Sequence, residues 1–329
     1  MIVSWHGIIL KMNRQVFLVS FFFMIGSGLF ALNFDSDHNF AIEAAAGLLN
    51  GQAEEIVFYD SSSKDKLSQL LWDIKPLIYA GANLHYGWHK DSNLVGVWTD
   101  AGIKIGIPNK TGRMEDSDWD NANNHDQLTH FSVHDNRTRQ AILVDAAAGV
   151  SFNISKKHVI NPFLSYSYMF FLWTANGGSI LYPESSSGQA HRPISPSSKV
   201  VAQYTQMWNI LGFGISYHGM FNDYFDADIS FKISPLVWCF AVDNHVLRDL
   251  VITDDLKGGL FLEPLFTLSW TPKNFFRLSM SASYRHILGT RGNSTYKERE
   301  KTSKYKNNSG AGYSAFDIGI TAHFNMIGK

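Results

Sequence analysis

The sequence has little of what would tie a secreted chain together covalently or draw it to nucleic acid. Its 329 residues include one cysteine, Cys239, so no internal disulfide can form, and no Cys or His spacing suggests a zinc site. The net charge is -1, which lacks the basic excess of a nucleic-acid-binding protein. We therefore expect no nucleic-acid partner, no metal and no cofactor.

The N-terminus has the features of a secretory signal. Lys11 and Arg14 precede an apolar run from Val16 to Ala31, which is short for a comfortable membrane span. We expect a signal peptide over residues 1–31 and a single domain over 32–329. A transmembrane anchor is the alternative reading of the same segment.

Beyond Ala31 no stretch contains 18 consecutive apolar residues, and the dominant pattern is two-residue alternation. Between residues 227 and 234 every odd position is apolar and every even position is polar, and similar runs cover 276–285 and 317–324. Aromatic residues make up 14% of the chain and prolines number nine, which favours strands over helices. The pattern predicts an all-β fold, although a soluble antiparallel sandwich would alternate as well.

The alternating runs and their turn signals predict ten strands separated by short turns and by three long polar segments. Short turns at one rim and long loops at the other are typical of a transmembrane β-barrel in the bacterial outer membrane. Several predicted strands are about twice the roughly 9–11 residues that cross a bilayer, so the barrel should extend above the membrane. The predicted strands are 38–59, 66–88, 93–107, 139–156, 159–177, 200–218, 223–241, 255–272, 276–290 and 313–324. The predicted loops are 108–138, 178–199 and 291–312.

Two short motifs on the loop-rich side carry candidate chemistry. Asp116 and Asp118 form one pair, and Asp243 and His245 form the other, each at positions i and i+2. In an extended backbone this spacing places both members of a pair on one face. Asp243 would orient His245 to take a proton from water, while Asp116 and Asp118 would hold that water and share a proton. Each motif alone also fits an ordinary solvated loop.

Taken with their surroundings, these motifs resemble the omptins, a family of ten-stranded outer-membrane aspartyl proteases. The segment 114–119, Met-Glu-Asp-Ser-Asp-Trp, is similar to the family's first catalytic block, and the segment 243–245 is similar to the second. Supporting similarity lies at 67–72, 174–178 and 310–312. The resemblance covers nearly all of the chain from Gly47 onward.

The resemblance implies a hydrolase that cleaves protein or peptide substrates beside basic residues, with its active site facing the cell exterior. Water would be held between Asp116 and His245, with Asp118 and Asp243 in support. Glu55 falls where the family places an acid in the pocket for the basic side chain that precedes the cut. A carboxylate there would favour arginine over lysine through bidentate geometry.

The sequence departs from the family in three places. The second pocket acid is replaced by Ala241, which predicts a weaker preference for basic residues. His130 stands where some members carry an acid beyond the cut, which weakens the case for dibasic specificity. The two arginines that grip lipid A phosphates are replaced by Phe170 and Met207, so lipopolysaccharide dependence is doubtful.

Other readings stay open. A barrel with a weak catalytic site would act as an adhesin or receptor for host proteins. His130 and His134 are read as solvated loop histidines rather than catalytic ones. The four catalytic positions all carry the residue types that proteolysis needs, which favours the enzyme.

Overall fold

Strands of a single antiparallel sheet account for most of the residues that the computed structural model describes, which are 37–89, 94–182, 190–194, 196–273 and 275–327. The predicted signal peptide lies outside these residues. Among them, no helix is long and apolar enough to cross a bilayer.

The strands follow the chain in order, and most of them are longer than 20 residues. They are β1 (His38–Phe58), β2 (Lys66–Trp88), β3 (Val95–Gly106), β4 (Asn109–Asp118), β5 (His130–Ser155), β6 (His158–Tyr182), β7 (Ala190–Pro193), β8 (Val200–Met220), β9 (Phe225–His245), β10 (Leu250–Lys257), β11 (Leu260–Lys273), β12 (Phe276–Glu298) and β13 (Lys301–Ile327).

These thirteen segments close into a ten-stranded barrel, because three of the barrel strands are each built from two segments. One consists of β3 and β4, which both lie between β2 and β5. Another consists of β10 and β11 between β9 and β12, and the third consists of β7 and β8, which both pair with β6. Pairing of β1 with β13 closes the ring, so no edge is left open. The predicted ten-stranded antiparallel barrel is confirmed.

A band of apolar side chains faces outward around the end of the barrel that has the short turns. The alternation seen in the sequence places these side chains outside, because successive residues of a strand point to opposite faces. They include Ile78, Leu84, Ile103, Ile105, Leu164, Phe213, Ile215, Ile229, Phe231, Phe266, Leu268, Phe316, Ile318 and Ile320, all substantially exposed. This band matches the hydrocarbon layer of a membrane.

Inside the band the lumen is filled by paired charges. Arg285 donates from Nε to Glu263 and from Nη2 to Asp145, each at 2.7 Å, and Lys232 contacts Glu263 at 2.8 Å. Lys104 pairs in the same way with Asp317. Each acid named here therefore has a basic partner, which offsets the cost of burial.

An aromatic layer lies above these charges. The rings of Trp72, Phe171, Trp173 and Tyr204 are fully buried and stack with centroid distances of 5.0–6.3 Å. All four rings belong to the buried core of the barrel, and their described side chains occupy the lumen beneath the upper cleft.

Two of the three segments predicted as loops, 108–138 and 291–312, are largely strand, and the described part of 178–199 contains the end of β6 and all of β7, which corrects the predicted boundaries. Residues 109–118 and 130–138 are extended, and β12 and β13 run on to Glu298 and from Lys301. Above the membrane both faces of the wall meet water, so polar residues occupy both faces and the two-residue alternation fades. The sequence signal disappears there although the hydrogen-bonded ladder continues.

Breaks in the strands lie between the membrane band and the protruding wall. Pro108 separates β3 from β4, where a residue without an N–H cannot extend the ladder. Gly258 and Gly259 separate β10 from β11 with φ angles of 76° and 88°, which strongly favour glycine. These bends allow the upper wall to take its own direction above the membrane.

Candidate functional site

One wall of the upper barrel carries the two aspartates. Asp116 lies opposite Leu70 of β2, and Asp118 lies opposite Ser68 two residues along. The β4 backbone is extended there, so both carboxylates point inward as the spacing predicts. The hydroxyl of Ser68 donates to Asp116 Oδ1 at 3.5 Å.

The opposing wall carries the aspartate and histidine at the upper end of β9. Asp243 lies between Tyr204 of β8 and Ile252 of β10, and its side chain is fully buried. Its Oδ2 is 2.5 Å from Nε2 of His245, which is partly exposed to the cleft. The contact fixes the imidazole and leaves Nδ1 as the nitrogen for a second partner.

Both walls line one cavity of about 440 Å³ above the aromatic layer. Asp116, Asp118 and His245 face it from opposite sides, and Glu55 lies in the same lining. Apolar and aromatic residues complete the floor and rim, together with charged residues at the mouth: Leu70, Leu250, Ile252, Tyr296, Tyr305, Asp120, Arg248, Glu298 and Lys301. The structure thus brings together the sequence-predicted residues, with Asp243 directly beneath His245.

Burial and like charge hold protons on the aspartate wall. Burial raises the pKa of Asp116 to about 7, Asp118 adds repulsion, and His245 partly offsets both. Burial also raises the pKa of Asp118, against a hydrogen bond from Ser68. The pair therefore holds a shared proton near neutral pH, as adjacent carboxylates do.

Burial and the neighbouring carboxylates shift the pKa of His245 in opposite directions. Burial disfavours the imidazolium, but Asp243 in direct contact and Asp116 across the cleft outweigh it and raise the pKa of His245. Asp116 on one wall therefore acts electrostatically on His245 on the other, across the cavity that both residues line.

Glu55 is almost completely buried, and one of its oxygens, Oε2, has no hydrogen-bond partner among the described residues. Burial raises its pKa well above the usual range, and Asp243, Asp254 and Asp116 raise it further by repulsion. An unpaired acid in such a place is stabilised by any cation that enters.

The two histidines of the predicted loop have different surroundings, and both lie on β5 instead of in a loop. His134 is buried, with Nδ1 2.5 Å from the carbonyl oxygen of Gly177 and Nε2 2.9 Å from the hydroxyl of Ser132. Both ring nitrogens of His134 are thus used in hydrogen bonds within the barrel wall. His130 lies opposite Asp118, with its ring 3.7 Å from Asp120 and partly exposed.

Asp254 and Ser68 were missed from the sequence. Asp254 lies one position before the predicted start of its strand, outside every predicted strand. Extending the alternation of Leu250, Ile252 and Leu256 across it would have placed it inside.

A separate cluster lies at the short-turn end. His218, Asp226 and Asp228 have their ligand atoms within 4.8 Å of one another, a spacing that would suit a metal ion. Arg277 already contacts both aspartates. Asp228 is also fifteen residues from Asp243 along β9, roughly 50 Å of strand at about 3.3 Å per residue. This cluster is not part of the cleft.

A closed barrel with an apolar outer band and a cleft above that band defines an outer-membrane protein with a surface-exposed site. The chain belongs to the Omptin family, whose family model matches residues 36–326. The resemblance inferred from the two motifs is therefore confirmed, as is the predicted outer-membrane location.

Two relatives and one solved structure show how far the similarity extends. The chain is 26% identical over 227 residues to a plasminogen activator of Yersinia pestis, covering 69% of each chain. It is 24% identical over 257 residues to the outer membrane protease IcsP of Shigella flexneri, covering 75% of this chain and 77% of that protein. Outer membrane protease OmpT of Escherichia coli shares the fold, with a TM-score of 0.80, 17% identity and coverage of 90% of this chain and 99% of that chain. Family and fold together support protease function in general.

Proposed function

We propose that this chain is an outer-membrane endopeptidase that cleaves proteins or peptides beside basic residues. Water is activated by the pair of Asp243 and His245, opposite the pair of Asp116 and Asp118. The observation that carries the proposal is the shared cavity into which Asp116, Asp118 and His245 project from facing walls.

The chemistry follows from the two pairs. A water between His245 and Asp116 attacks the peptide carbonyl carbon and gives its proton to Nδ1 of His245, because Nε2 is held by Asp243. Asp243 stabilises the imidazolium that forms. The aspartate pair, which carries a proton near neutral pH, donates a hydrogen bond to the oxygen on which charge develops. Collapse of the tetrahedral intermediate returns the proton from His245 to the leaving amine.

Preference for a basic residue rests on Glu55. Its buried carboxylate, whose Oε2 has no hydrogen-bond partner in the described part of the chain, lies in the cleft lining, where a guanidinium or ammonium group would pair with it. Local burial strengthens that attraction relative to water. The substrates are therefore proteins or peptides with an arginine or lysine before the scissile bond.

We also propose that activity does not depend on lipopolysaccharide. Phe170 and Met207 lie opposite each other on β6 and β8 and offer no charge to a phosphate. Equal activity with and without added lipopolysaccharide would support independence, and strict dependence would exclude it.

The test is cleavage of a fluorogenic peptide library by refolded protein in detergent, with Asp116→Asn and His245→Ala as matched variants. We expect cuts next to arginine or lysine that disappear in both variants. Wild type and variants that are equally inert while the barrel is folded would refute the protease. The role of adhesin or receptor for host proteins would then be the better reading.

A further inference from the structure

A second buried acid lies beneath the cleft on a different strand from Glu55. Asp254 of β10 is 1% exposed, and its inward direction follows from the alternation of buried Leu250, Ile252 and Leu256 on the same strand. The next residue, Asp255, is exposed on the outer face. Burying a carboxylate is costly, so its position requires a compensating partner.

The residue that faces this acid on the partner strand is small. Asp254 lies directly opposite Ala241 of β9, whose side chain is a single methyl group. Directly opposed residues have Cβ atoms about 4.5–5.5 Å apart, so the side chain at 241 determines how much room remains next to the carboxylate. One inward position higher, Ile252 opposes Asp243, and Ile252 lines the cavity. Asp254 is therefore one layer deeper than the catalytic pair.

No cation offsets this acid within the part of the chain that the structure describes. Asp254 accepts a hydrogen bond from the Ser309 hydroxyl, but its Oδ1 has no hydrogen-bond partner there. Glu55 Oε2 likewise has no hydrogen-bond partner among the described residues. Asp254 repels Glu55 electrostatically, so the two buried acids are close enough to act on one another.

Resting on the function proposed above, we infer that Asp254 is the second carboxylate of the pocket for the basic side chain. With Glu55 it binds the guanidinium of the residue that precedes the scissile bond. Two carboxylates from different strands receive the planar fork of an arginine better than the single point charge of a lysine. The acid absent at position 241 is thus supplied from the neighbouring strand, and the preference for arginine is strong where Ala241 alone predicts a weak one.

Burial also favours the protonated forms of Asp254 and Glu55. Burial raises the pKa of Asp254 to about 7, a hydrogen bond from Ser309 opposes this, and Asp243 adds repulsion. An arriving guanidinium displaces the protons and pairs with both acids, so the site is most stable when a cation occupies it.

The test compares two peptides that differ only in having arginine or its neutral isostere citrulline before the cut. The variants are Asp254→Asn and the control Asp255→Asn, which removes the same charge from the outer face of the same strand. We expect Asp254→Asn to lower the ratio of kcat/KM for arginine over citrulline by about 10- to 100-fold, the range for a charge-assisted hydrogen bond. Cleavage of the citrulline peptide and the ratio of the control should stay close to wild type.

A relocation variant keeps the test decisive if Asp254→Asn folds poorly. Ala241→Asp combined with Asp254→Ala preserves the net charge and moves the acid across the strand pair, and it should restore the preference for arginine. An unchanged ratio in folded Asp254→Asn, or in folded Asp254→Ala without the relocation, overturns the inference. If folded wild-type protein cleaved neither peptide, the proposed protease function itself would be refuted. Failure of the inference about Asp254 and failure of the proposed function are therefore distinguishable.

Discussion

The lower and upper halves of the lumen treat buried acids differently. At the level of the membrane, Glu263, Asp145 and Asp317 each contact an arginine or lysine. Glu55 in the cleft lining and Asp254 one layer beneath it are as buried as Glu263 and Asp317, yet each has an oxygen with no hydrogen-bond partner among the described residues. The paired acids stabilise the barrel, whereas the acids without a cation leave carboxyl groups that can pair with a cationic substrate. Among these buried acids, an arginine or lysine partner therefore distinguishes the group at the membrane level from the group at the cleft.

The largest effect is expected at the catalytic walls. Asp116→Asn and His245→Ala should each lower kcat by about 10²–10⁴-fold, because each removes a group that holds or deprotonates the water. The double variant should be hardly worse than the poorer single variant, since both act on one water. Initial rates on an arginine peptide measure this.

His158→Ala provides the control, because this exposed histidine contacts Tyr217 at the short-turn end of the barrel, opposite the cleft, and its replacement should be neutral. Single effects that multiply in the double variant would mean that the two walls act independently.

The lower half should lose stability when a cation is removed. Arg285→Met leaves Glu263 and Asp145 with too little positive charge, so the free energy of unfolding should fall by about 3–5 kcal/mol. Urea-induced unfolding in detergent micelles measures the change. Lys257→Met, at an exposed position, is the control. A neutral outcome for Arg285→Met would mean that pairing in the lumen contributes nothing.

In the upper half, removing a buried acid should not lower the stability of the barrel. Glu55→Gln removes a buried acid whose Oε2 has no hydrogen-bond partner among the described residues, so stability should stay the same or rise, while kcat/KM for arginine over citrulline should fall about 10- to 100-fold. Unfolding and cleavage measured on the same preparation test both statements. A large loss of stability with an unchanged ratio would place Glu55 among the structural acids.

The smallest effect concerns pH. His245 must be neutral to accept a proton, so activity is present above its pKa and is lost as pH falls through it. Asp243 raises that pKa, so in Asp243→Asn the acidic limb of log kcat/KM should move to lower pH, with a reduced plateau. Asp255→Asn should leave the limb in place. A limb that does not move would assign it to another group.

Much of this arrangement follows from a period of two. The sequence predicted the barrel, and it predicted that Asp116 pairs with Asp118 and Asp243 with His245, because residues at i and i+2 share a face. Spacing alone does not show that the two pairs face each other. That depends on closure of β1 against β13, a contact between residues far apart in the chain.

The rest was hidden for local reasons. The upper wall meets water on both faces, so strands such as β4 lack the alternation that marks a membrane strand. Aligning this sequence with its family does not reveal the role of Asp254, because alignment compares residues at equivalent positions. Asp254 compensates for Ala241 from a different position, directly across the strand pair. Only the register of β9 against β10 reveals the link.

The central claim is that the unpaired carboxylates of the cleft select a cationic side chain. Wild-type protein with matched arginine and citrulline peptides tests it most directly, because charge is the only feature that changes. We predict that arginine is favoured in kcat/KM by about 100-fold or more, as expected for two charge-assisted contacts. A ratio near one, with both peptides cleaved, would contradict the claim and leave the buried acids without a role in recognition.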